Sequence, residues 1–101
     1  MRVLVTGGTG VIGEATITDL LRHGHEVRLL TRNATDDAKL WAAGVESWPA
    51  SVCDQNELKG CAEGCDLVLH IAGIVEESPP GLTYESVNVE GTRNVVREAE
   101  R

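Results

Sequence analysis

The sequence has no apolar run approaching the roughly 20 residues that a bilayer-spanning helix needs. A membrane partner is therefore not expected. It also lacks an excess of basic residues: 9 Lys and Arg stand against 16 Asp and Glu, a net charge of −7. Sequence-independent nucleic-acid binding needs clustered Lys and Arg, so no nucleic-acid partner is expected either. The N-terminus lacks the layout of a secretory signal, because strand-like sequence begins at Arg2 and glycine-rich sequence follows at Thr6. A cytoplasmic location is the default expectation. A paired cysteine set is missing too. Cys53, Cys61 and Cys65 are odd in number, and Cys61-x-x-x-Cys65 is neither a redox pair nor a standard zinc knuckle. Three reduced, partly buried thiols and no metal site are expected; a metal site would need His70 to join them, and the spacing does not ask for that. There is no internal repeat, linker or low-complexity segment, and 101 residues set a ceiling of one domain, residues 1–101.

What is present alternates. Arg2 to Thr6 is a short apolar run ending in glycines, which suits a strand buried on both faces. Gly13, Ile17, Leu20, Leu21 and Gly24 follow at the spacing of one helix face, with Gly24 as the stop. Glu26 to Thr31 reads as a second strand. Thr35 can cap a short helix to about Ala43, with Asp36 and Asp37 in its first turn and Gly44 ending it. Val45 to Ala50, interrupted by Pro49, is a weaker third strand. Asp54-Gln55-Asn56-Glu57 has the form of a capping box and opens a helix to Glu63, stopped by Gly64. Asp66 to Ala72 is a fourth strand, and Gly73 to Gly81 a loop. Tyr84, Val87, Asn88, Gly91, Thr92, Val95 and Ala99 make the stripe of a last helix. Strands alternating with helices imply a three-layer α/β fold with a parallel sheet and right-handed crossovers.

The chemistry sits in Thr6-Gly7-Gly8-Thr9-Gly10-Val11-Ile12-Gly13. Glycines between a first strand and a first helix allow a tight turn and close backbone approach to a diphosphate. The helix N-terminus then offers N–H groups and partial positive charge. Gly8-x-Gly10-x-x-Gly13 fits the dinucleotide pattern of a Rossmann-type fold, and Gly7-x-x-Gly10-x-x-Gly13 fits a spaced variant equally well. Gly13 also begins the buried helix face, which suits close packing on the sheet. The end of the second strand normally selects the cofactor through an acidic residue on the ribose 2′-hydroxyl. Thr31-Arg32-Asn33 stands there instead. Arg32 can clamp a 2′-phosphate with its planar fork, which favours NADP over NAD; a solvated surface arginine is the competing reading.

Four segments in order carry a family resemblance: TGGTGVIG at Thr6 to Gly13, VCD at Val52 to Asp54, HIAG at His70 to Gly73, and VNVEGTRNVV at Val87 to Val96. With them the chain resembles the N-terminal part of an extended short-chain dehydrogenase/reductase of the NAD(P)-dependent epimerase/dehydratase type. The resemblance implies a sheet of order 3-2-1-4, truncated after the fourth βα unit. It implies that Gly7, Gly10, Val11 and Ile12, with Gly13, meet the pyrophosphate and that Arg32 meets the adenosine ribose phosphate. Ile71, Ala72 and Gly73 would line the middle of the cofactor by their backbone, with Asn88 close by; bracing of the fold is an equal role for Asn88. The family commonly has an Asp at the place of Ser51, where it holds the adenine amine. Ser51, next to Val52, can still accept a hydrogen bond but carries no charge. His70 is expected to be a satisfied buried histidine, His23 and His25 to be exposed, and Trp41 and Trp48 to pack.

The same resemblance implies a catalytic Tyr-x-x-x-Lys pair with a Ser or Thr, the lysine lowering the tyrosine pKa. The sole tyrosine, Tyr84, has Asn88 four places on, and the only lysines are Lys39 and Lys59. No catalytic residue is assigned. Two readings stand: an N-terminal portion of an oxidoreductase or epimerase acting on a sugar nucleotide or similar carbonyl or hydroxyl substrate, or a stand-alone, non-catalytic dinucleotide-binding or interaction module. Either leaves an apolar edge at Leu67 to Ile71, from which self-association is expected.

Overall fold

Short runs of valine and leucine supply most of the strands, and glycines stand directly after β1 and directly before β3. The computed structural model describes residues 1–7, 10–72 and 84–101. Strands β1 (Arg2–Thr6), β2 (Glu26–Thr31), β3 (Val45–Pro49) and β4 (Leu67–His70) form one parallel sheet in the order β3-β2-β1-β4. This is the expected order. Helix α1 (Val11–Arg22) follows β1, α2 (Ala34–Asp37) follows β2 and α3 (Gln55–Leu58) follows β3. A π-helical segment, Tyr84–Gly91, runs into α4 (Thr92–Ala99). The register sets Val3 beside Val27 and Leu67, and Thr6 beside Leu30 and His70.

Side chains alternate across a strand, so consecutive apolar residues serve opposite layers. Val3, Val5, Val27 and Leu29 pack with Ile17 of α1 on one face. Leu4 and Leu30 pack with Ala50, Val52, Leu58, Cys61, Val87 and Val95 on the other. Burying each such leucine or valine contributes about 1.5–3 kcal/mol. Two covered faces explain why β1 reads as an unbroken apolar run.

Several elements differ from expectation, each for a tertiary reason. Thr35 is not a cap. Asn33 holds the cap position without a side-chain bond, α2 ends at Asp37, and one 3-10 turn, Ala38–Leu40, follows. Thr31 Oγ1 donates to Asp37 at 2.9 Å, tying the short helix to β2. Trp41 leaves the helical path with extended backbone, and its indole donates to Thr18 Oγ1 of α1 at 3.1 Å.

Asp54 does cap α3, accepting from the N–H groups of Asn56 and Glu57. The helix stops at Leu58 rather than Glu63. Buried Arg28 reaches under the sheet from β2 and donates to the carbonyls of Cys61 at 2.7 Å and Glu63 at 2.8 Å. Those carbonyls turn toward the guanidinium instead of continuing a helix. Arg28 also pairs with Glu46 at 3.3 Å and lies 5.5 Å from the Trp48 ring centre. Trp48 itself donates to the Glu57 carbonyl at 2.9 Å, so both tryptophans are bonded into the fold.

β4 ends at His70 rather than Ala72, although Ile71 N–H still donates to the Thr6 carbonyl at 3.1 Å. The buried stripe of the last helix is Val87, Gly91, Asn94, Val95 and Glu98, while Ala99 is exposed. The wider π-helical turn rotates the stripe, and the backbone holds the two polar members. Asn94 Nδ2 donates to the Val52 carbonyl at 2.9 Å, and Glu98 accepts from Gly60 N–H at 2.9 Å. The loop expected at Gly73 to Gly81 lies outside the described residues. No helix among the described residues is long and apolar enough to cross a membrane.

Candidate functional site

In a parallel sheet the ends of neighbouring strands collect on one side. Here the chain after β1 and the chain after β4 meet there. Gly7 has φ of +73°, and a Cβ on it would lie 2.6 Å from the backbone N and Cα of Ala72 and 3.0 Å from the carbonyl carbon of Ile71. No residue with a Cβ fits that position without moving the backbone that follows β4. Gly7, Ile71 and Ala72 are thus brought together; Gly73 lies outside the described residues.

Gly10 sits at the cap position of α1 with extended backbone and no side-chain cap bond. Its carbonyl accepts from Glu14 N–H at 2.8 Å, which starts the helix. The N–H groups of Val11, Ile12 and Gly13 precede the first intrahelical bond and have no helix carbonyl to meet. Among the described residues a Cβ on Gly10 would touch nothing within 4 Å. Val11 and Ile12 are 90% and 72% exposed. Gly13 is buried. The positive end of the α1 dipole therefore opens onto a space bordered by glycine.

Beneath the turn lies a hydrogen-bond chain whose proton positions can be assigned. Thr6, fully buried, accepts at Oγ1 from the N–H groups of Ile71 at 3.2 Å and Ala72 at 3.3 Å. Its own proton then goes to His70 Nδ1 at 2.6 Å. Thr92 donates to the Asn88 carbonyl at 2.7 Å, so it accepts from His70 Nε2 at 2.9 Å. Imidazole in this chain is neutral, with its proton on Nε2. Burial pushes the His70 pKa below its ordinary value, in agreement. The ring braces β4 against β1 and the last helix. Asn88 joins this chain through its carbonyl and is half-buried.

A second depression lies at the ends of β2 and β3, lined by Arg32, Pro49, Ala50, Ser51 and Glu57. It unites the two residues expected at the adenosine end, Arg32 and Ser51. Arg32 is exposed. Val52 is not part of this wall; its side chain is in the core and its carbonyl is taken by Asn94.

Sequence reasoning missed Glu57 here. The capping-box form predicts that Glu57 bonds back to Asp54 N–H. That N–H instead donates to the Ser51 carbonyl at 3.1 Å, and Glu57 accepts from Ser51 N–H at 3.0 Å. The Thr6–His70 pairing was also missed, although aligning the two strand ends in parallel places them side by side. The thiol of Cys61 is buried, which pushes its pKa up to about 11 and keeps it protonated.

Comparison with known proteins gives a consistent result. The sequence profile described as the NAD dependent epimerase/dehydratase family matches residues 3–101. A 4-hydroxy-2-methyl-3-oxo-4-farnesyl-3,4-dihydroquinoline-1-oxide ketoreductase of Stigmatella aurantiaca is 30% identical over 99 residues, covering 98% of this chain and 30% of that protein. Among solved structures, the Bordetella bronchiseptica enzyme WbmG in complex with NAD superposes with a TM-score of 0.80 at 29% identity, covering 98% of this chain and 33% of the other. The UDP-glucose 4-epimerase of Thermus thermophilus in complex with NAD gives a TM-score of 0.77 at 31% identity, covering 98% and 33%. The chain thus spans about a third of the length of these relatives.

Proposed function

Because the chain belongs to the NAD dependent epimerase/dehydratase family, we propose that its strand ends hold a nicotinamide dinucleotide for an oxidoreductase or epimerase reaction. One observation carries this reading: α1 starts at Gly10, which has no side chain to cap it, and Gly7 at the end of β1 is pressed against the backbone of Ile71 and Ala72 just past β4. The diphosphate would rest on the N–H groups of Val11, Ile12 and Gly13, with Gly7 and Gly10 leaving it room. Arg32 would meet a phosphate on the adenosine ribose, giving a preference for NADP over NAD. Ser51 would offer a hydrogen bond to the adenine. The backbone of Ile71, Ala72 and Gly73 would run along the middle of the cofactor, with Asn88 behind it. The bound nicotinamide supplies the hydride chemistry. This chain's residues supply binding and orientation only, since Tyr84 has no lysine four places on. The substrate is proposed to be a sugar nucleotide or a similar carbonyl or hydroxyl compound. The NAD found with WbmG and with the epimerase supports the cofactor class.

Calorimetric titration with NADP and NAD, on the chain and on an Arg32→Ala variant, tests the proposal. Micromolar binding that favours NADP and loses that preference in the variant is expected. Absence of binding by either dinucleotide overturns the reading, and equal affinity for both overturns the role of Arg32.

A further inference from the structure

The depression at the ends of β2 and β3 carries two opposite charges, Arg32 and Glu57. They share a wall without forming an ion pair with each other. Glu57 is held in place. It is the third residue of α3, and one carboxylate oxygen accepts from Ser51 N–H at 3.0 Å. The nearby Asp54 carboxylate is spent on the N–H groups of its own helix. Glu57 therefore contributes a fixed negative charge to the place where the adenosine ribose would lie.

We infer that Glu57 is a specificity-determining residue: its carboxylate opposes the 2′-phosphate that Arg32 attracts, and so narrows the margin of NADP over NAD. The inference rests on the dinucleotide reading above. Its physical basis is the repulsion between a carboxylate and a phosphate in one groove, a term that a 2′-hydroxyl does not meet. Ser51 is part of the arrangement, because a neutral side chain there leaves room for the Glu57 charge beside it.

The test is calorimetric titration of Glu57→Gln with NADP and with NAD, beside the unaltered chain. Glutamine keeps a carbonyl for Ser51 N–H, so the thermal melt should not move. NADP affinity should rise about tenfold, and NAD affinity should change by less than about twofold. The gain should shrink at high salt, as a charge effect does and a packing effect does not. Should glutamine disturb the melt, Glu57→Ser gives the same reading. An unchanged NADP-to-NAD ratio, or one that rises only through loss of NAD binding, overturns the role of Glu57 while leaving the dinucleotide site standing. Failure of the unaltered chain to bind either cofactor overturns the site and this inference together.

Discussion

Two glycines three positions apart have opposite duties. At Gly7 the backbone is left-handed and a Cβ would collide with the backbone of Ile71 and Ala72, just past β4. Gly7→Ala should cost at least about 2 kcal/mol of stability, read from urea unfolding. At Gly10 the backbone is extended and the space beyond it is open. Gly10→Ala should cost under about 1 kcal/mol yet weaken dinucleotide binding, because the added methyl occupies space meant for the diphosphate. Unaltered binding by Gly10→Ala would remove that glycine from the site. His70 makes a pH prediction. Its folded-state pKa lies below the ordinary 6.5, so the unfolded chain binds the proton first as pH falls. The stability it contributes is complete above about pH 6.5 and is lost as pH falls toward the folded pKa. Urea midpoints between pH 7.5 and pH 5, compared with those of His70→Gln, should show the larger drop for the native histidine. Cys61 acts at the other end: its raised pKa makes stability fall as pH climbs from 9.0 toward about 11.

At the scale of elements, one buried arginine decides where α3 ends. Arg28→Ala would leave the Cys61 and Glu63 carbonyls without their donor and should cost about 2–5 kcal/mol. Arg28→Lys should restore little, since an ammonium cannot span both carbonyls and Glu46 at once. Chemical denaturation of the two variants checks this. The same residue shows what a sequence reveals and what it hides. β1 and β2 are legible to the residue: burial on both faces leaves β1 an unbroken apolar run, and β2 keeps Val27, Leu29 and Leu30 around Arg28. The lengths of α2 and α3 are not legible, because Trp41 and Arg28 end them through bonds to residues far along the chain. Asn94 and Glu98 lie outside the expected stripe of the last helix yet are buried, held by the Val52 carbonyl and Gly60 N–H. Asn94 Oδ1 is buried without a partner among the described residues. At the site, parallel pairing of β1 with β4 explains why Gly7 meets Ile71 and Ala72, and the candidacy of the three residues was legible. The turn of Glu57 toward Ser51 was not, since a capping box ordinarily closes on its own helix.

At the scale of the molecule, the described sheet has β3 at one edge and β4 at the other. Among the described residues β4 pairs only with β1, and Leu67 is 44% exposed. An unpaired edge of this kind templates association. Sedimentation of the 101-residue chain should show mass above the monomer as concentration rises; a sharp monomer boundary at high concentration would count against an exposed edge. The opposite rim, where the strands end, is the side on which the turn, the His70 brace and the Arg32 groove come together. Amide spectra of the isotopically labelled chain, titrated with NADP and NAD, test most directly whether that rim is a dinucleotide site. The N–H signals of Gly7, Val11, Ile12 and Gly13 should shift first and furthest, while those of His23 to His25 at the far end of α1 stay in place. Shifts that spare the start of α1, or none at saturating dinucleotide, would contradict a dinucleotide site there.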